Sequence, residues 1–138
     1  VKKNDETYIQ IYLCSFLRKL QFLDHRFIFY SIPNGGTRNA REAMNLKMSG
    51  LLPGAPDLCL VYLGHTHYVE LKKHKGTLSE AQKDFIAKAR TMGHKVTVIY
   101  ADTPDEAITA ITPIMEEIGY QKPNISSIAS SVLSSIIG

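Results

Sequence analysis

Asp57-Leu-Cys-Leu-Val-Tyr62 and His67-Tyr-Val-Glu-Leu-Lys72, joined by Leu63-Gly64-His65-Thr66, decide the reading of this chain. The first run is almost wholly apolar, as a central strand requires. The second alternates, as a strand with one covered face does. Between them Leu63-Gly64-His65-Thr66 closes a hairpin. Any loop of even length centred between Leu63 and Gly64 pairs residues whose numbers sum to 127, so Asp57 falls opposite Glu70. Opposite residues of an antiparallel pair share a face, with Cβ atoms ~4.5–5.5 Å apart. Lys72 lies two residues beyond Glu70 and points the same way. Asp57, Glu70 and Lys72 therefore converge at one end of the hairpin. A loop of odd length would shift the pairing by one residue and disperse them.

Upstream of the hairpin, Phe27-Ile-Phe-Tyr-Ser-Ile32 is aromatic and β-branched and stops at Pro33, which predicts a strand. Before it, Ile9, Leu13, Phe16, Leu17 and Leu20 recur at helical spacing over Asp5 to Leu20. Asn34-Gly35-Gly36-Thr37 is a turn or loop, Ala40 to Ser49 a short helix with Gly50 at its C′ position, and Leu51 to Pro56 a rigid loop. Downstream, Ser79-Glu-Ala-Gln82 is a capping box that opens a helix to Met92, with Phe85, Ile86, Ala89 and Met92 as its buried stripe. Lys95 to Tyr100 is a fourth strand. It returns through a helix, so it runs parallel to its predecessor by a right-handed crossover. Pro104 to Ile118 is helical, with Ala107, Ile108, Ile111, Met115 and Ile118 apolar and Pro113 a possible kink. The Ser-rich tail keeps helical spacing through Ile125, Ile128, Val132, Leu133 and Ile136 and reads as a docked helix. With no repeat and no linker, residues 1–138 form one α/β domain, a mixed four-stranded sheet flanked by helices.

Composition narrows the class only broadly. The chain has 138 residues, 44% hydrophobic and 21% charged, with net charge +3. That is an ordinary globular balance with a mild lean toward polyanions. Cys14 and Cys59 lack disulfide or zinc spacing and read as reduced core thiols of a cytoplasmic protein. No apolar run is long enough to cross a membrane and the N-terminus has no signal-peptide pattern. His25, His65, His67 and His94 have no zinc spacing, and Asn124-Ile125-Ser126 reads as a chance match to the glycosylation triplet.

Two close carboxylates repel, and one takes up a proton unless a cation is present. A divalent ion removes the conflict, and carboxylate oxygens are the ligands Mg²⁺ prefers. Such an ion polarises a scissile phosphate and helps to generate hydroxide. Lys72 would orient the attacking water or stabilise charge building on the phosphate. The competing reading is a surface cluster of ion pairs, which is common and worth little. An acid delivered from a Gly-Pro loop onto a central strand, opposite a second acid, argues for chemistry.

The words Ile32-Pro33-Asn34-Gly35-Gly36-x-Arg38, Gly50-Leu51-x-x-Gly54-x-Pro56-Asp57, Glu70-Leu71-Lys72 and Gly76-x-Leu78-Ser79-x-x-Gln82 occur in this order. Together they resemble the VRR-Nuc (virus-type replication-repair nuclease) domain of the PD-(D/E)XK nuclease superfamily, over about residues 6 to 112. The resemblance implies a restriction-endonuclease-like α-β-β-β-α-β core with extra C-terminal helices. It implies Asp57 and Glu70 as ligands of Mg²⁺ or Mn²⁺, joined by the Leu71 backbone carbonyl and by Glu6 on the first helix. By the same resemblance Lys72 would assist the nucleophile, and Gln82 matches the family's downstream catalytic glutamine. Glu6 also suits a helix N-terminus and Gln82 a capping box. Short members of this branch are often phage-encoded and, like Holliday-junction resolvases, dimeric. The resemblance thus implies a homodimer acting on branched DNA in a bacterial or phage-infected cell.

Asn34, Gly35, Gly36, Arg38, Arg41, Lys47, Lys73, His74 and Lys75 are the candidate phosphate contacts. The expected activity is a metal-dependent, structure-selective DNA endonuclease. Two alternatives stay open: a flap or single-strand nuclease, and a non-catalytic nucleic-acid-binding module on the same scaffold. A third, an unrelated α/β protein with a chance motif, makes no prediction about divalent metal, and an absence of metal binding would favour it.

Overall fold

The structure, a computed structural model, describes residues 1–33, 39–121 and 125–137. The candidate phosphate contacts Asn34, Gly35, Gly36 and Arg38 lie outside the described residues, as does Asn124. The elements are α1 (Glu6–Leu23), β1 (Phe27–Ser31), α2 (Ala40–Met48), β2 (Leu58–Tyr62), β3 (His65–Lys72), α3 (Glu80–Thr91), β4 (Lys95–Tyr100), α4 (Pro104–Glu117) and α5 (Ile125–Ile137). The four strands form one sheet in sequence order, antiparallel from β1 to β3 and parallel between β3 and β4.

Strand alternation divides the sheet into two faces. Leu58, Leu60, Val69, Leu71 and Ile99 join the main core, with α1, α4 and α5. In α1 the stripe Ile9, Leu13, Phe16, Leu17 and Leu20 is wholly buried. Each such side chain contributes ~1.5–3 kcal/mol over its exposed state. Ala107, Ile108, Ile111, Met115 and Ile118 of the α4 segment are buried there too, as are Ile125 and Val132 of α5. The opposite face carries a smaller cluster in which Ile86, Ala89 and Val96 pack with Tyr68, Leu78, Phe85 and Val98 beneath α3. Asp57, Glu70 and Lys72 belong to this second face by alternation.

The β2–β3 turn is tighter than the sequence suggested. Tyr62 pairs with His65, so Leu63 and Gly64 alone make the loop. Both have positive φ, 43° and 84°, the signature of a type I′ turn whose twist suits a hairpin. The loop remains even in length, and Leu58 pairs with Val69 and Cys59 with Tyr68. The sum of 127 therefore holds along the ladder.

Other boundaries shift modestly. Helix α1 runs on to Leu23, where Asp24 caps it and binds Arg26 and the Tyr62 hydroxyl. Met92, expected in the buried stripe, is the C-cap of α3 and is exposed, because the stripe ends at Ala89 one turn earlier. Helix α2 ends in a Schellman motif, with the Gly50 and Leu51 N–H groups donating to Lys47 and Leu46. None of its residues is buried, and Met44 and Met48 face solvent.

Candidate active site

The end of the sheet away from the hairpin turn is shaped by one proline. In a two-residue hairpin the flanking pair exchanges both backbone hydrogen bonds, and hydrogen-bonded pairs then alternate with non-bonded ones. Tyr62–His65, Leu60–His67 and Leu58–Val69 are thus the bonded type. Asp57 and Glu70 extend the ladder as a non-bonded pair, the type in which side chains come closest. The next bonded pair would be Pro56 with Leu71. Pro56 has no N–H to donate to the Leu71 carbonyl. The Leu71 N–H is taken instead by the Asp57 side chain, donating to Oδ2 at 2.7 Å. Residue 72 faces the other edge, its carbonyl accepting from Ala101 at 2.8 Å. The Leu71 carbonyl therefore points to the Asp57 side, where its ladder donor is missing. On the far side the Asp57 carbonyl is held by the Ile32 N–H at 2.9 Å.

Glu70 is only 3% exposed. Burial, then the charge of Asp57 and a hydrogen bond shared with it, push its carboxyl up to about 8. Lys72 opposes this rise and Glu6 adds to it. Gln82 Nε2 donates to Glu70 Oε1 at 2.9 Å. The same amide accepts the Ser79 N–H through Oε1 at 2.8 Å, while the Gln82 N–H donates to Ser79 Oγ at 3.1 Å. Capping and site contact, both read from the sequence as roles for Gln82, are thus made by one side chain.

Gly54 supplies a link that sequence spacing did not reveal. Its φ is +89°, and a Cβ there would lie 2.3 Å from the Ala81 carbonyl oxygen and 2.8 Å from the Gln82 nitrogen. The loop that delivers Asp57 thus rests against the helical turn that delivers Gln82. The glycine is visible in the sequence, but its partner 27 residues later is not. Gly76 plays a lesser part, with the Lys72 stem 3.6 Å from where its Cβ would stand.

The remaining candidates are dispersed. Glu6 is an exposed first-turn residue of α1 whose charge is felt at Glu70. Among the described residues no three His, Cys, Asp or Glu side chains gather as a metal cluster, so the close carboxylate set is Asp57 and Glu70. Lys73 Nζ donates to the Asn4 carbonyl and lies 3.6 Å from Asp102. His74 pairs with Glu106 at 2.6 Å and with Asp102 through its N–H. These contacts fasten the segment after β3 to α4 and the N-terminus, pairings that no local pattern announces. Lys75, Arg41 and Lys47 are exposed.

The donors at this end fit a hard divalent cation. They are two carboxylates and a backbone carbonyl, all oxygen, and one carboxylate is buried at a cost that a cation would relieve.

Comparison with curated proteins gives no match. A solved structure described as a VRR_NUC domain protein shares the fold, with a TM-score of 0.64 at 20% identity over 84% of this chain and 92% of that one. The VRR-NUC domain family model matches residues 4–103, spanning every element from α1 to β4 and the end of the sheet where Asp57, Glu70 and Lys72 meet. The chain belongs to the VRR-NUC domain family of nucleases.

Proposed function

We propose that this chain is a divalent-metal-dependent DNA endonuclease that hydrolyses phosphodiester bonds in branched substrates, four-way junctions included. The observation that carries the reading is Glu70: a carboxyl 3% exposed, facing Asp57, with its proton held up to about 8. A fold has little reason to bury one acid facing a second, half-buried one unless a cation joins them.

In this reading Asp57, Glu70 and the Leu71 carbonyl hold Mg²⁺ or Mn²⁺, and Glu6 contributes from the outer edge. The ion would polarise the phosphate and make bound water more acidic. Asp57 keeps β3 in register through the Leu71 N–H. Gln82 fixes the rotamer of Glu70. Lys72, half-buried on the same face, orients the nucleophilic water and offsets charge on the phosphate. Arg41, Lys47 and Lys75 contact the DNA backbone, with Lys73 as a further contact once released from Asn4. A second copy of the chain would cut the opposing strand, and the exposed Ile28, Tyr30, Met44 and Met48 offer it apolar surface. Its work belongs to a reducing compartment such as the cytoplasm, where the free, buried Cys14 and Cys59 stay thiols.

The test is cleavage of labelled four-way junction, flap, single-stranded and duplex DNA with Mg²⁺, Mn²⁺ or EDTA, beside Asp57→Asn and Lys72→Ala. Metal-dependent cutting that both variants lose is expected. Cutting by Asp57→Asn at the wild-type rate would sink the assignment, and binding without cutting in any metal would favour the non-catalytic module.

A further inference from the structure

The register of β3 and β4 brings a further side chain to this end of the sheet. Tyr68, Glu70 and Lys72 pair with Val96, Val98 and Tyr100. In-register residues of parallel strands share a face, and neighbouring strands lie ~4.8 Å apart. Val96 and Val98 are packed beneath α3. Tyr100 is one step further along, beyond the helix's cover, and is 43% exposed. It belongs to neither apolar cluster. A phenol ring therefore stands beside the Lys72 stem, on the face that carries the two acids, with no part in the core.

Resting on the nuclease reading above, we propose that Tyr100 is a stacking platform for an unpaired nucleobase of the strand being cut. Every base presents a π-face, so such a platform accepts any sequence. A base within a duplex is already stacked on its neighbours and must be extruded before it can reach the ring. Tyr100 thereby favours substrates whose strand is unpaired at the scissile phosphate: flaps, single strands and the open centre of a junction.

The test compares wild type with Tyr100→Phe and Tyr100→Ala on single-stranded, flap and fully paired DNA, with folding checked by circular dichroism. The Phe variant should keep the wild-type preference for unpaired substrates. The Ala variant should lose about tenfold in the ratio of unpaired to duplex kcat/KM, mostly through KM. Equal losses on all substrates, or a Phe variant as impaired as Ala, would overturn the platform. Binding supplies an independent readout in the non-cutting Asp57→Asn background, using a short single strand that carries 2-aminopurine. Its fluorescence should be quenched with Tyr or Phe at this position and not with Ala. Should the wild type cut nothing, the nuclease reading fails, and quenching that depends on the ring still supports Tyr100. Quenching unchanged in the Ala variant overturns it.

Discussion

Replacing Glu70 by Gln should stabilise the metal-free protein. The unfolded carboxyl titrates at 4.5, and the native one at about 8. Between those values the native state holds a proton that the unfolded state has released. Stability conferred by this group is therefore full below pH 4.5 and is lost as pH rises toward about 8. The slope is ~1.4 kcal/mol per pH unit, so at pH 7 wild type has lost roughly 3 kcal/mol relative to mildly acidic solution. Glutamine resembles the protonated acid. It can accept from Gln82 Nε2 and donate to Asp57, so both contacts survive without the titration. In EDTA at pH 7, Glu70→Gln should melt on the order of 10 °C above wild type. Saturating Mg²⁺ or Mn²⁺ should reverse the order, because bound metal stabilises only the form that holds it. Melting curves from pH 5 to 8.5, with EDTA or metal, read both effects. A wild-type Tm that does not fall with pH in EDTA, or equal stabilisation of both proteins by metal, would refute the reasoning.

Three other changes test separate parts of the structure. Gly54→Ala sets a Cβ against the Ala81 carbonyl at positive φ, and should cost roughly 2–4 kcal/mol in denaturant unfolding and weaken metal binding, by parting Asp57 from Gln82. Leu63→Asn should raise stability by about 1 kcal/mol without affecting cleavage, because leucine at φ 43° is strained where asparagine is favoured. His67 is buried, its Nε2 lies 2.7 Å from Thr97 Oγ1, and its Nδ1 has no partner among the described residues. Burial lowers its pKa, partly opposed by Glu117 and reinforced by Lys95. The unfolded ring then takes a proton first, so stability should fall as pH drops below 6.5. This slope is opposite in sign to that of Glu70, so it is measured in the Glu70→Gln background, where His67→Gln should flatten it.

Much of the site was legible because strand pairing is arithmetic. Apolar runs located β2 and β3, and an even turn put Asp57 opposite Glu70 whether it held four residues or two. The turn's true length was hidden because Leu63 carries no signal for positive φ, and because exposed His65 and Thr66 look like loop. Gln82 was legible through its capping box, and the local rule still left its contact with Glu70 open. Met92 misled because helical periodicity does not say where the sheet beneath a helix ends. The partners of Lys73 and His74 were invisible for a different reason: Asn4, Asp102 and Glu106 come from distant segments, and only the assembled fold brings them together.

The hairpin also has a consequence for how such a chain can change over time. The turn is exposed and far from the acids, which is where surface insertions are usually harmless. Here a single added residue that slipped the ladder would turn Asp57 toward the opposite layer, while two added residues would preserve the alignment. Length variation at this tip is therefore filtered by parity. Related chains should differ there in even steps, or carry a compensating bulge in one strand.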